Sequence, residues 1–282
     1  MSYSNKGLRA GSYAVFLFIF ALCQACAPIN AQDVSAGLFS NSAKNPNSPK
    51  LPVKPRRTFD ADNPAKILVI GDSLGDGVGY FLRERVKKGG INATVINTAR
   101  NSTGLTRTDF YNWPANFTAL AARHVPDIVV IHVGANDMQG IVRPGQRVPF
   151  RTPEWDVAYR EEIRKILKIA ADNKAMLYWL GPGPDRNPNL NRHLAHVNPL
   201  FKAEAEASNA VYMPISKFAA QPTGGYLRTI TIDGKSVTIR SGDGSHFTGI
   251  GYTLIADKLL AEMQKRAPSM FGTGSNLFAA LQ

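Results

Sequence analysis

The sequence has almost no cysteine. Its only two, Cys23 and Cys26, lie near the N-terminus of the 282 residues. A chain cut after Ala31 would hold no thiol, which excludes a scaffold built on disulfides or on cysteine-bound zinc. Stability must therefore come from packing, and 44% hydrophobic side chains provide material for one sizeable core.

Acidic side chains are also scarce. The sequence has 21 Asp and Glu against 33 Lys and Arg, for a formal net charge of +12. The first 31 residues carry Lys6 and Arg9 and no acid, so the net charge without them is +10. This excess predicts attraction to an anionic cell-envelope polymer or to membrane headgroups, although basicity that merely aids solubility is an equal alternative. Nucleic acid is disfavoured as a partner, because neither zinc-finger spacing, basic-zipper heptads nor an aromatic and basic RNA signature occurs.

Long hydrophobic runs are missing apart from one near the N-terminus, Tyr13 to Cys23. This run is shorter than the roughly 20 apolar residues that cross a bilayer, so we expect no stable membrane span. The basic residues before it are typical of a secretory signal peptide, which we place at residues 1–31. We therefore predict a periplasmic or secreted protein. A lipoprotein with Cys26 as its lipidated first residue remains an alternative.

The domain organisation follows from composition. Residues 32–63 are rich in Ser, Asn, Pro and Lys, with four prolines between Pro46 and Pro55, and they predict a flexible linker. From residue 64 short apolar runs alternate with amphipathic stretches up to residue 267, which predicts one domain. Residues 268–282 have weak patterning and are expected to form a C-terminal tail.

The alternation of elements predicts an α/β fold with a parallel sheet covered by helices. The predicted strands are buried apolar runs at residues 66–71, 93–98, 127–134, 175–181 and 210–215, and the predicted helices follow the first of them, span 114–124, precede the fourth and follow Thr248. Asn198-Pro199 predicts the start of a further helix. A hairpin is expected over residues 226–240, with its turn at Asp233-Gly234.

Candidate functional residues follow the ends of the predicted strands. Ser73 comes directly after the first strand, where its hydroxyl would be exposed and its N–H would lie at a helix N-terminus. Gly104 follows the second strand and Asn136 the third. Because the carboxyl ends of parallel strands meet at one edge of a sheet, we expect these residues to lie close together. Ser73 could instead simply cap its helix, and Asn136 could only shape a turn.

Asp243 and His246 lie in the loop before the final helix. A His three residues after an Asp can turn one ring nitrogen to the carboxylate and the other to Ser73, which predicts a nucleophile, a base and an orienting acid. The other histidines lack such a companion. His193 and His196 make a weak metal pair without a third ligand, and we predict no metal site.

These segments, in this order, resemble the blocks of the SGNH/GDSL hydrolase superfamily. The resemblance covers residues 66–266 and includes features similar to a little-characterised subfamily of exported bacterial proteins. It implies a flavodoxin-like three-layer α/β/α sandwich and acyl-transfer chemistry without any metal or organic cofactor. It further implies that Ser73, Asp243 and His246 form the catalytic triad and that Ser73, Gly104 and Asn136 form an oxyanion hole.

The substrate is expected to be an acylated saccharide or another small ester. Arg100 and Arg107 flank the Gly104 loop, and Trp113 lies nearby in sequence. Arginine suits anionic groups and flat aromatics stack on sugars, so we predict that the three bind substrate, unless Trp113 is core and the arginines are solvated. We expect a serine esterase that removes short O-acyl groups, such as acetyl, from a cell-envelope saccharide. An O-acyltransferase and a non-catalytic envelope-binding domain are the alternatives.

Overall fold

A computed structural model describes residues 48–143 and 145–272. Its centre is a parallel sheet of five strands, β1 (Ala65–Gly71), β2 (Ala93–Asn97), β3 (Ile128–His132), β6 (Met176–Gly181) and β7 (Val211–Pro214). Their order in the sheet is β2-β1-β3-β6-β7. Two antiparallel hairpins lie outside this sheet, β4 (Ile141–Arg143) with β5 (Gln146–Val148) and β8 (Thr229–Ile232) with β9 (Lys235–Thr238). The second hairpin was predicted, and the first was not.

Helices cover both faces of the sheet, which confirms the predicted α/β/α sandwich. They are α1 (Ser73–Lys88), α2 (Trp113–His124), α3 (Pro153–Asp172), α4 (Pro188–Ala207) and α5 (Gly249–Arg266). Helices α1 and α5 pack together on one face, whereas α2, α3 and α4 pack in sequence on the other.

The two layers of the core follow from strand geometry. Successive side chains of a strand point to opposite faces, and in β1 Ile67 and Val69 join the core under α1 and α5, while Leu68 and Ile70 join the other. A central strand covered on both faces must be apolar throughout. This explains why β1, β3 and β6 are continuous apolar runs in the sequence rather than alternating ones.

The helix start predicted at Asn198-Pro199 is wrong, because both residues lie inside α4. The helix begins at Pro188, where the side chain of Asn187 accepts a hydrogen bond of 2.9 Å from the backbone N–H of Asn189. Pro199 is tolerated in mid-helix although it cannot donate to the helical ladder. Burial of Val197, Leu200 and other residues of the same helix against the sheet outweighs that lost hydrogen bond.

The described part of the predicted flexible linker, residues 48–63, lies against the domain, and we call it the strap. The backbone N–H of Leu51 donates to the carbonyl of Ser208 at 2.9 Å, and Leu51 and Phe59 are buried in the two core layers. The side chain of Arg57 binds the buried carboxylate of Asp127 through two hydrogen bonds of 3.0 and 2.6 Å. The prediction of a flexible linker is therefore wrong for residues 48–63. Single apolar and basic residues of this segment contact the domain, and sequence periodicity does not reveal such isolated contacts.

The core also continues past residue 267, where we expected the tail to begin. A short 3₁₀ turn spans Pro268–Met270, and both Met270 and Phe271 are buried. The backbone N–H of Asn92 donates to the carbonyl of Met270 at 2.8 Å, which ties this turn to the start of β2. Residues 268–272 therefore belong to the packed domain.

The predicted signal peptide, residues 1–31, lies outside the described residues. Within residues 48–143 and 145–272, none of the helices is both long and apolar enough to cross a membrane.

Candidate active site

Ser73 is placed by an unusually close approach of two strands. Gly71, the last residue of β1, has φ +138°, and a Cβ there would lie 2.0 Å from the carbonyl oxygen of His132 on β3. Only glycine fits this position. The next residue, Asp72, donates its backbone N–H to the same His132 carbonyl at 3.1 Å. The chain then turns directly into α1, so Ser73 occupies the first turn of that helix.

Asp72, rather than Ser73, caps α1. Its side chain accepts a hydrogen bond of 2.9 Å from the backbone N–H of Leu74, and the carboxyl group is fully buried. Desolvation raises the pKa of Asp72 from its ordinary value of 3.8 to about 7, and the nearby Asp137 adds to this effect. The capping role that the sequence allowed for Ser73 therefore falls to its neighbour, and the Ser73 hydroxyl is free for another partner.

We expect the Asp72→Asn substitution to change how stability depends on pH. Because the folded-state pKa lies above the unfolded one, the native chain loses stability from this group as pH rises from about 4 to about 7. Asparagine retains a cap for α1 but does not titrate. The variant should therefore gain stability relative to the wild type between pH 5 and pH 8, by at most about 3 kcal/mol, since the two units from pH 5 to the folded pKa contribute about 1.4 kcal/mol each. Urea unfolding of the two proteins at pH 5 and at pH 8 measures their free energies of unfolding. A difference between variant and wild type that is the same at both pH values would contradict this prediction.

The structure brings Ser73, His246 and Asp243 into one hydrogen-bonded row. The Nε2 atom of His246 lies 2.9 Å from Ser73 Oγ, and its Nδ1 atom lies 2.6 Å from Asp243 Oδ2. His246 therefore contacts the hydroxyl with one ring nitrogen and the carboxylate with the other. This is the arrangement in which a base can take the serine proton while an acid holds the ring in place.

Asp243 is held in its ionised form by the loop around it. Partial desolvation acts to raise its pKa, but hydrogen bonds from the Ser241 hydroxyl, the His246 ring and the backbone N–H groups of Ser245 and His246 outweigh this. The pKa of Asp243 consequently lies well below that of an ordinary aspartate. A carboxylate that stays charged favours a proton on Nδ1 of His246, which leaves Nε2 free to accept.

Arg240 stabilises the loop that carries His246, a role that the sequence analysis missed. Its buried guanidinium donates to the carbonyls of Ser245 and Pro184, both at 2.8 Å, and its Cζ atom lies 3.7 Å from the ring centroid of Phe247. Burial lowers the pKa of Arg240 to about 10, so it remains protonated at neutral pH. Because His246 lies between Ser245 and Phe247, Arg240 braces both of its neighbours.

Asn136 and the Gly104 loop lie against each other at the ends of β3 and β2. The side-chain amide of Asn136 donates to the carbonyl of Thr103 at 2.9 Å. An amide nitrogen carries two hydrogens, so Asn136 retains one for a second acceptor. The backbone N–H of Arg100, which starts this loop, donates to the carbonyl of Gly71 at 2.8 Å and ties the loop to the Ser73 turn.

Asp137 fixes the same loop from within the core. Its buried carboxyl accepts hydrogen bonds from the backbone N–H of Thr106 at 3.0 Å, the Thr106 hydroxyl at 2.9 Å and the Tyr159 hydroxyl at 2.7 Å. Burial raises the pKa of Asp137. A Cβ at Gly104 would lie 2.1 Å from Asp137 Oδ1, so glycine is required for this contact.

The two histidines considered as a metal pair have separate roles. His193 is buried on α4 and its Nε2 donates to the carbonyl of Gly134 at 3.0 Å, which supports the turn that carries Asn136. Burial lowers the pKa of His193 to about 4, so the ring is neutral. His196 instead pairs with Asp156 at 2.7 Å. Within the described ranges, no group of three or more His, Cys, Asp or Glu side chains is placed to hold a metal ion.

The three predicted substrate-binding residues differ in exposure and in partners. Trp113 is only 1% exposed and its indole N–H donates to the Thr103 hydroxyl at 3.0 Å, so it supports the loop from the core and is not available to stack on a sugar. Arg107 forms an exposed ion pair with Asp109. Arg100 lies at the surface with its guanidinium 4.8 Å from the ring centroid of Tyr111. Substrate binding by the two arginines stays a prediction.

Comparisons with known proteins assign a family and a fold to the chain. Residues 66–262 match the model of a family described as "Protein of unknown function (DUF459)". No curated protein matches the sequence. Among solved structures, the chain is similar to a GDSL-like lipase from Bacteroides thetaiotaomicron, with a TM-score of 0.52, 13% identity and coverage of 83% of this chain and 98% of that one.

Two further solved structures have the same fold. An aryl esterase from M. smegmatis has a TM-score of 0.50 at 17% identity, over 72% of this chain and 99% of that one. A structure of TesA has a TM-score of 0.50 at 17% identity, over 71% of this chain and 98% of that one. At such low identities the likeness shows the fold alone. The chain therefore belongs to the DUF459 family and has the fold of the SGNH/GDSL hydrolases.

Proposed function

We propose that the protein is a serine esterase that removes short O-acyl groups, acetyl above all, from a cell-envelope saccharide through an acyl-serine intermediate. The observation that carries the proposal is the row of hydrogen bonds from Asp243 through His246 to Ser73. A serine that only stabilised the helix would not need a histidine at 2.9 Å, since Asp72 already caps α1.

In the first half of the reaction, Ser73 Oγ attacks the ester carbonyl while His246 Nε2 takes the hydroxyl proton. The negative charge on the carbonyl oxygen is stabilised by the backbone N–H groups of Ser73 and Gly104 and by the side-chain amide of Asn136. The N-terminal end of α1 adds its positive partial charge at the same place. Asp243 stabilises the imidazolium that forms on His246.

In the second half, His246 returns the proton to the leaving alcohol as the C–O bond of the ester breaks. The acyl group is then bonded to Ser73 Oγ. Water enters, gives a proton to His246 and attacks the acyl carbon, and the proton passes to Ser73 as the free acid departs. The cycle consumes one water and regenerates the triad.

Two features support an extended and hydrophilic substrate. The side chains of His246 and Asp243 are 40% and 51% exposed, so the reacting ester can stay attached to a bulky polymer. The excess of basic residues would attract an anionic envelope polymer and raise the encounter rate with it. Both features fit the export that the N-terminal sequence predicts.

Hydrolysis of nitrophenyl esters from acetate to decanoate tests the proposal, together with labelling by a fluorophosphonate probe. We expect fastest turnover with acetate and, by mass spectrometry, one label on the peptide that contains Ser73. The Ser73→Ala protein is the control that should take no label. Preference for decanoate would contradict the short-acyl substrate. Absence of both turnover and label would overturn the serine mechanism, whereas a label with acetyl transferred to an added glycan in preference to water would indicate an O-acyltransferase.

A further inference from the structure

A row of aromatic rings leads from the catalytic loop to the surface. Phe247, the residue after His246, packs edge to face on Tyr252, with 5.6 Å between ring centroids. Tyr252 stacks on Phe81 at 5.7 Å with an interplanar angle of 10°, and Phe81 packs on Tyr80 at 5.0 Å. Phe247 and Tyr252 are buried, whereas Tyr80 is 54% exposed. The row therefore ends in an exposed aromatic ring that packs on less exposed ones.

The structure of α1 and α5 keeps this row in place. A Cβ at Gly77 would lie 2.2 Å from the Tyr252 ring, so the glycine allows that ring to pack directly against α1. A Cβ at Gly249 would lie 3.2 Å from the ring of Phe81, which shows how close the start of α5 comes. Ile250, the next residue, is 53% exposed. We name the surface formed by Tyr80, Phe81 and Ile250 the aromatic ledge.

Tyr80 of the aromatic ledge lies on the side of α1 that carries Ser73. Tyr80 follows Ser73 by seven residues on α1, which is two helical turns and about 10 Å along the same side of the helix. Side chains of a helix lean toward its N-terminus, so the ring of Tyr80 covers the surface on the Ser73 side of its own Cα. The other edge of the ledge begins at Ile250, four residues after His246.

The chemistry of the proposed reaction decides which part of a substrate reaches this surface. His246 protonates the leaving alcohol, so the alcohol must lie on the side of Ser73 that His246 occupies. The carbonyl oxygen instead points to Gly104 and Asn136, at the ends of β2 and β3. The start of α5 lies three residues after His246 and carries one edge of the aromatic ledge, so the alcohol part of the ester is directed toward it.

We infer that the aromatic ledge binds the flat face of a neutral or acylated pyranose ring in the saccharide that carries the ester. The inference rests on the proposed function and adds the subsite that selects the leaving alcohol. An exposed tyrosine suits a sugar, because its ring packs on the C–H face while its hydroxyl exchanges hydrogen bonds with the sugar hydroxyls. Tyr80 thereby takes the role that the sequence analysis gave to Trp113.

The test compares two esters on the wild type and three variants. O-acetylated chitotetraose places sugar rings on the leaving side, and vinyl acetate has a leaving group too small to reach Tyr80. We expect Tyr80→Ala to lower the ratio of kcat/KM for the tetrasaccharide to that for vinyl acetate by about three- to tenfold, mainly through KM. Tyr80→Phe should retain most of the ratio because the flat ring remains. Val157→Ala, an exposed apolar position on α3, should leave the ratio at the wild-type value.

A second measurement separates this inference from the proposed function. Binding of unacetylated chitotetraose to the Ser73→Ala protein is measured by calorimetry, with and without Tyr80→Ala. If Tyr80→Ala weakens chitotetraose binding and the wild-type protein hydrolyses no ester, the inference about the aromatic ledge would stand and the proposed esterase function would be overturned. If the wild-type protein hydrolyses both esters and Tyr80→Ala leaves the ratio of their kcat/KM values unchanged, the esterase function would stand and the inference about the aromatic ledge would be overturned. If Tyr80→Ala lowers the turnover of nitrophenyl octanoate but not of nitrophenyl acetate, the aromatic ledge binds an acyl chain and the inference is likewise overturned.

Discussion

Alanine at His246 is expected to lower kcat for nitrophenyl acetate hydrolysis by about 10⁶-fold, as much as alanine at Ser73. The two losses should be equal because the nucleophile and its base act as one unit. His246 is the base for Ser73 at 2.9 Å, and no other described histidine contacts that hydroxyl. Asp243→Ala should cost less, about 10⁴-fold, since the carboxylate orients and stabilises the ring but takes no proton. The double variant Ser73→Ala/His246→Ala should be no slower than either single variant. Steady-state kinetics on nitrophenyl acetate measures all four.

The chain contains a matched control for this prediction. His196 on α4 pairs with Asp156 at 2.7 Å, much as His246 pairs with Asp243, but it has no serine beside it. His196→Ala should retain kcat within about twofold, by the same argument that makes His246 essential. Equal losses in His196→Ala and His246→Ala would mean that both substitutions act through the fold. Losses that multiply in the double variant would show that Ser73 and His246 do not act as a unit.

Asp127→Ala is expected to be the most destabilising of the proposed substitutions, by about 3 kcal/mol. The side chain of Asp127 is 1% exposed and accepts hydrogen bonds from Arg57 of the strap and from the backbone N–H of Lys66 in β1. Alanine would leave that N–H without its partner and release the strap from the start of β3. For a domain of this size we expect the melting temperature to fall by about 6 to 12 °C.

The surface pair of Lys168 and Asp172 provides the comparison. The Asp172 side chain is 58% exposed, and its bonds to Lys168 have ordinary lengths of 2.8 and 2.9 Å. Asp172→Ala should cost less than about 1 kcal/mol because water already solvates both charges. Because Arg56 of the strap also lies 3.5 Å from the Asp127 carboxylate, a double-mutant cycle with Arg56→Ala/Arg57→Ala isolates the strap contact. Equal effects of the Asp127 and Asp172 substitutions, or a coupling of zero between Asp127 and the two arginines, would show that the strap is not anchored there.

Much of the fold could be predicted because its signals are local. Strands covered on both faces must be apolar along their whole length, and the runs at residues 66–71 and 175–181 stand out for that reason. The hairpin at Asp233-Gly234 is visible because those two residues adopt positive φ, at 49° and 74°. The candidate triad could be located because parallel strands end at one edge, so residues distant in sequence share one neighbourhood.

The errors arose where the outcome depends on distant partners. Trp113 and Tyr80 are both aromatic residues of helices, and nothing local shows that one is buried and the other 54% exposed. Pro199 has the local signature of a helix start, yet packing of its neighbours places it in mid-helix. The strap contains one buried apolar residue at a time, so it lacks the periodicity by which packed segments are predicted.

The sequence alone determined the order along the chain of the five sheet strands and of the helices between them, the strand ends that Ser73, Gly104 and Asn136 follow, and the local turn that joins Asp243 to His246. These follow from periodicity, from turn residues and from the common edge of a parallel sheet, which act over a few residues or are general to the fold. Only the tertiary structure decided that Asp72 caps α1, that Arg240 braces the His246 loop and that the aromatic ledge faces solvent. Those outcomes depend on burial and on contacts between residues far apart in the chain, and a side chain's burial is set by what packs over it.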